Sequence, residues 1–118
     1  MRYNFEKLEI WTLALVGIDI VDRLTEKFPK QEKYILEDQI KRASLSIALN
    51  IAEGSGRGTK PDFRRFIRNA IGSLLEVVAC VRIAVHKKYI DEESTKPADA
   101  TFEKLYFKLV AMEKYLKR

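Results

Sequence analysis

The chain has 118 residues, 47% of them hydrophobic and 33% charged, with a net charge of +5. That length supports one domain, 1–118, around one hydrophobic core and is too short for two. The basic balance favours acidic partners. The single cysteine excludes an internal disulfide and gives no sign of an oxidising compartment.

In chain order, the spacing predicts a first helix from about Glu6 to Lys27. Phe28-Pro29 ends it, because the residue before a proline is pushed out of the helical region. This helix is apolar almost all round: Leu8, Ile10, Trp11, Leu13, Leu15, Val16, Ile18, Ile20, Val21 and Leu24 leave little polar face. Such a helix is buried on both sides, and a small bundle has only one interior, so the second side calls for another chain. Residues 10–21 make a poor export signal. Glu6 and Glu9 precede them, Asp19 interrupts them, and no small-residue cleavage site follows. They are also too few to span a bilayer. A cytoplasmic protein with no membrane role is expected.

A second helix is predicted from about Gln31 to Glu53, closed by Gly54, Gly56 and Gly58, which tolerate positive φ. Leu36, Ile40, Ala43, Ile47 and Ile51 form its core stripe, while Leu45, Ala48, Leu49 and Ala52 point the opposite way, towards a second subunit. A third helix runs from near Lys60 to about Lys87, with Thr59 as N-cap, Pro61 in the first turn and Asp62 three residues after the cap. The fourth is clearest from Ala98 to Lys117. Pro97 either sits in its first turn, with Ser94 or Thr95 as cap, or kinks a helix that begins near Asp91. No strand-period alternation, repeat or low-complexity tract is visible. The expected fold is an all-α, antiparallel up-down-up-down four-helix bundle.

Helices two and three each carry a polar stripe beside the apolar one. Gln39, Arg42, Ser46, Asn50 and Glu53 recur at spacings of three and four on the first, and Asp62, Arg65, Asn69, Ser73 and Glu76 on the second. Buried alone, such groups cost about 1–3 kcal/mol each, so they call for partners. In an antiparallel hairpin Arg42 meets Glu76, Ser46 meets Ser73, Asn50 meets Asn69 and Glu53 meets Arg65, and the paired residue numbers keep a nearly constant sum. A structural seam that fixes helix register is the expected role.

The stretch NIAEGSGR (Asn50 to Arg57), the preceding QIKRASLSIALN and the following FRRFIRNAIGSLLE resemble the signature of the small bacterial four helix bundle protein family, also called the 23S rRNA intervening-sequence protein family. FEKLEIW and FPKQEKY (Phe28 to Tyr34) fit it too, so the resemblance spans about residues 5–90 with several separated motifs in order. It implies a bundle that assembles into a homo-oligomeric ring, a pentamer. Related accessory proteins of diversity-generating retroelements imply nucleic-acid binding. About activity the resemblance implies little.

From the residues themselves, the best functional candidate is a basic cluster. Arg57, Lys60, Arg64 and Arg68 recur at helical spacing and are expected to share a side of helix three away from Phe63, Phe66, Ala70, Leu74 and Val77. Arg65 joins them unless Glu53 holds it. Cationic rows of this kind bind phosphate backbones, and the glycines of GSGRG let backbone N–H groups approach. The bland alternative is a solvated face that keeps the protein soluble. Few aromatics interleave the cluster, so no base-stacking platform is indicated. GSGRGTK follows a helix and lacks P-loop spacing, which rules out a nucleotide cradle of that type. The polar seam has no histidine, so its serines lack the base that nucleophilic catalysis needs. His86 lies near a helix end without metal-ligand spacing, Cys80 sits in an apolar run, and Trp11 reads as core or interface. The basic tail KYLKR suits a helix C-terminus first and is a binding element second; with Lys104 and Lys108 it is the alternative nucleic-acid face should the cluster on helix three not bind. No catalytic residue, metal site or cofactor is expected. The function expected is non-specific RNA or DNA binding by a homo-oligomer, the alternative being an oligomeric scaffold for a protein partner.

Overall fold

The computed structural model describes residues 3–118, which form helices and no strands. Four helices make the body: α1 (Glu9–Thr25), α2 (Asp38–Ser55), α3 (Lys60–His86) and α4 (Lys96–Lys117). Neighbours in sequence pack together, α4 also packs on α1, and the pair α2–α3 is the most extensive, so the four close into a bundle. At 1.5 Å per residue, the 27 residues of α3 account for most of the 43 Å length of the molecule.

The core stripes have the three-four spacing of facing helices. α1 contributes Ile10, Ala14, Val21 and Leu24; α2 contributes Ile40, Ala43, Ile47 and Ile51. α3 adds Ile67, Ala70, Leu74, Val77, Val81 and Ala84, and α4 adds Ala98, Phe102, Leu105, Leu109 and Leu116. This spacing keeps one stripe turned inward along the whole length of each helix.

Several expectations are corrected. The first helix starts at Glu9, because Asn4–Lys7 form a separate 3-10 turn and Leu8 between them is extended (φ −82°, ψ 133°). It is not greasy on every side. Leu15 and Val16 are exposed among Thr12, Asp19, Asp22 and Arg23, which are exposed too. Ala48, expected to face outward, is 2% exposed and belongs to the core. It lies one residue from Ile47, and a side chain that small fits where α2 meets its neighbour closely. Leu45 and Leu49 do point to solvent.

The chain reaches α2 through a 3-10 turn (Lys30–Glu32) and a wider π turn (Lys33–Glu37). Pro97 sits in the first turn of α4, which settles the alternatives left open above, and a 3-10 turn (Glu93–Thr95) leads into it. Asp91 holds that entry by accepting the Ser94 amide at 2.8 Å. α3 ends with Lys88 at φ 65°, where the Tyr89 amide donates to the Ala84 carbonyl and the Lys88 amide to that of Val85. This is the helix stop that usually carries glycine.

Candidate nucleic-acid interface

The α2–α3 turn is built for close approach and a sharp change of direction. A Cβ on Gly54 would lie 2.7 Å from Phe66 Cβ and 3.0 Å from Phe63 Cδ1, so only glycine lets the end of α2 rest on the start of α3. Gly58 takes φ +88°, a region that side chains rarely adopt. Thr59 then caps α3, its hydroxyl accepting the Asp62 amide at 3.3 Å, with Pro61 in the first turn.

Around this turn the five predicted cations have unequal roles. Arg57 reaches back to Glu53 at 3.2 Å, and its guanidinium lies 4.8 Å from the Phe66 ring centre. Arg65 approaches Asp62 at 3.8 Å and lies 4.5 Å from the same ring. Phe66 is thus buried beneath two guanidinium groups, an arrangement favoured by ring quadrupole and planar cation alike. Lys60 is exposed, its Nζ 5.3 Å from the centre of the Tyr115 ring. Arg68 is exposed and makes no ion pair among the described residues. A shallow depression is lined by Pro61, Arg64, Arg65, Arg68 and Asn69, which brings three of the cations to one place.

Arg64 differs from the rest. It is half-buried between α3 and α4, where Nε donates to Glu113 Oε1 at 2.9 Å and Nη2 lies 2.8 Å from the same oxygen. Glu113 carries no sequence signal, because it comes from α4, which has no motif, whereas Tyr115 lies in the KYLKR tail, which the sequence marked only for its charge. The two ion pairs between α3 and α4, Arg64–Glu113 and Arg82–Asp99, each 2.8 Å long, have residue numbers whose sums differ by about one helical turn, so a constant-sum register does not pick them out.

The polar seam forms in part. Ser46 and Ser73 share a hydrogen bond of 2.9 Å across the α2–α3 contact. Glu76 is engaged by Gln39, not by Arg42, which is exposed and makes no ion pair among the described residues. Asn50 donates to the Ser46 carbonyl at 2.8 Å and to its hydroxyl at 3.1 Å, so its amide is engaged along α2 and makes no hydrogen bond to Asn69. Glu53 takes Arg57 in place of Arg65. The reason is position. The seam runs along the half-exposed edge of the contact, where water satisfies the polar groups, and partners three or four residues apart already lie about 5–6 Å from each other.

Elsewhere, burial pushes the Cys80 thiol up, with Glu76 adding to the effect. Glu9 is held below the usual carboxylate range by its hydrogen bond to Lys108, 2.8 Å away, helped by Lys104. Those two lysines are therefore partly neutralised. His86 is exposed. Among the described residues no group of three His, Cys, Asp or Glu side chains converges as metal ligands, and no helix is long and apolar enough to cross a membrane.

None of the curated proteins compared matches the chain. The motifs around the glycine turn and the four-helix body agree with the family model described as 23S rRNA-intervening sequence protein, which matches residues 6–111, and the chain belongs to that family.

Proposed function

We propose that the protein binds nucleic acid without sequence preference through the cationic face at the α2–α3 turn. In this reading it works as a non-catalytic homo-oligomer in the cytoplasm, built on an antiparallel up-down-up-down bundle. The observation that carries the proposal is the convergence of Arg57, Lys60, Arg65 and Arg68 on one glycine-rich turn and the first turns of α3. The pairs Arg57–Glu53 and Arg65–Asp62 are exposed, and such pairs are worth little in water. A phosphodiester offers a guanidinium two charge-assisted hydrogen bonds and competes well for both. Arg64 instead ties α4 to α3 and positions the face.

The topology is supported by Ser46–Ser73 with Gln39–Glu76, and by Arg64–Glu113 with Arg82–Asp99; in both sets one residue number rises as the other falls. Assembly is supported by Leu45 and Leu49, 50% and 56% exposed on one side of α2. Five subunits is the number the family resemblance suggests.

The test is fluorescence anisotropy with DNA and RNA at several salt concentrations. Log affinity is expected to fall linearly with log salt, by roughly 0.7–0.9 per phosphate contacted. Lys60→Glu with Arg68→Glu weakens binding to all sequences alike and leaves the thermal midpoint unchanged, since both side chains are exposed. No binding to any nucleic acid at low salt overturns the proposal. That outcome leaves a scaffold for a protein partner, a reading favoured by the exposed Leu75 and Phe107, which line an apolar groove between α3 and α4.

A further inference from the structure

We infer that the surface extends from α3 onto the last turn of α4 and takes single-stranded nucleic acid, with an unpaired base stacked on Tyr115; this rests on the nucleic-acid reading above. Tyr115 is 55% exposed with no partner ring among the described residues, and Lys60 lies over its ring at 5.3 Å, which places it beside the cationic turn. The same ring lines an apolar depression with Leu8, Ile10, Ala111 and Met112. Glu9 and Lys108 also line it, but they neutralise one another at 2.8 Å.

The surroundings are cationic. Lys114 and Arg118 flank Tyr115 one residue before and three after it, and both are exposed with no ion pair among the described residues. The Arg64–Glu113 pair, two residues from the tyrosine, holds this end of α4 against the start of α3 and so joins the two sets of cations.

This combination fits one ligand chemistry. An unpaired base has a flat apolar face that stacks on an exposed ring, and its flanking phosphates meet ammonium and guanidinium groups. A duplex hides its bases, so it can use the cations but not the ring. A protein segment would have no use for the cations around the ring unless it were acidic, and the phosphate backbone supplies that charge at every residue.

The experiment compares oligothymidylate and oligouridylate with a mixed-sequence duplex of equal length, by anisotropy at fixed salt, for the full chain and two variants. Wild-type protein is expected to prefer the single strands. Tyr115→Ala is expected to lower single-strand affinity about tenfold and leave duplex affinity unchanged. Tyr115→Phe keeps the ring and is expected to retain the wild-type preference. A fall of equal size for single strand and duplex, or no fall for either, overturns the inference and leaves the general polyanion reading standing. If wild-type protein binds neither form at low salt, both fall together. Circular dichroism checks that each variant retains the helical fold.

Discussion

Glu32 lies in the 3-10 turn before α2, buried, with the Tyr89 hydroxyl donating to its carboxylate at 2.7 Å and Lys87 Nζ at 3.6 Å. These residues join the α1–α2 connection to the stretch that follows α3. The hydrogen bond from Tyr89 is the main cause that holds the Glu32 carboxyl below its usual value, against the opposing effect of burial, and the same bond pushes the Tyr89 phenol up. For Glu32 the folded value lies below the unfolded one. Its contribution is therefore complete above about pH 4.3 and is lost as pH falls through the lower folded value. For Tyr89 the sign is opposite: the contribution is complete below about pH 10 and is lost as pH rises through the higher folded value. Urea unfolding between pH 5 and pH 2.5 should show a shallower loss of stability for Glu32→Gln than for the wild type. Glu9 and Asp91, also held low, leave a residual acid slope in both proteins. Equal slopes would mean that Glu32 keeps an ordinary acidity.

At the scale of elements, the helix ends decide how the bundle turns. Lys88 closes α3 in the left-handed region, where a Cβ costs about 1–2 kcal/mol. Lys88→Gly should therefore stabilise the protein by about 1 kcal/mol and raise its melting temperature by roughly 3–6 °C. Gly54→Ala should act in the other direction. The added methyl would meet Phe66 Cβ at 2.7 Å, an atom fixed to the backbone of α3, and forcing the two helices apart costs about 1–3 kcal/mol. Differential scanning calorimetry reads both changes. An unchanged midpoint for Gly54→Ala would show that the hairpin can open without loss. The capping by Thr59 and the glycine turn were legible in the sequence because they depend on a few adjacent residues. The start of α1 was not. The periodicity of Leu8, Ile10 and Trp11 continues smoothly through Leu8, and only the extended conformation of that residue separates the turn from the helix.

For the whole molecule, the question is what covers the apolar surface left by a single bundle. Leu45 and Leu49 project from α2, while Leu15 and Val16 are exposed on α1. Leu15 and Val16 stand among charged and polar neighbours, so the proposed oligomer rests on the α2 pair, whose cover would be a second copy of the chain. Leu45→Glu with Leu49→Glu should convert the proposed oligomer into monomers of unchanged helicity, because neither side chain belongs to the core of its own bundle. Sedimentation velocity at micromolar concentration measures this, and a wild-type protein that sediments as a monomer would remove the case for a ring. In the proposed oligomer each additional copy would repeat Lys60, Arg68 and Tyr115 and so raise the affinity of the proposed face for a long strand through multivalency.

The sequence by itself determined the helical class, the number of helices, the inward stripes and the family, because each follows from local periodicity or from motifs of adjacent residues. It also placed Ser46 opposite Ser73, since a short turn between two packed helices leaves little freedom of register. Tertiary structure decided which polar groups pair and which cations stay open. At a half-exposed seam, water competes with every cross-helix partner, and the nearest carboxylate wins, as Glu53 does for Arg57. It alone brought Glu113 and Tyr115 from α4 beside Arg64 and Lys60, because contacts between residues some fifty positions apart depend on how helices pack and leave no mark on the local pattern of either segment.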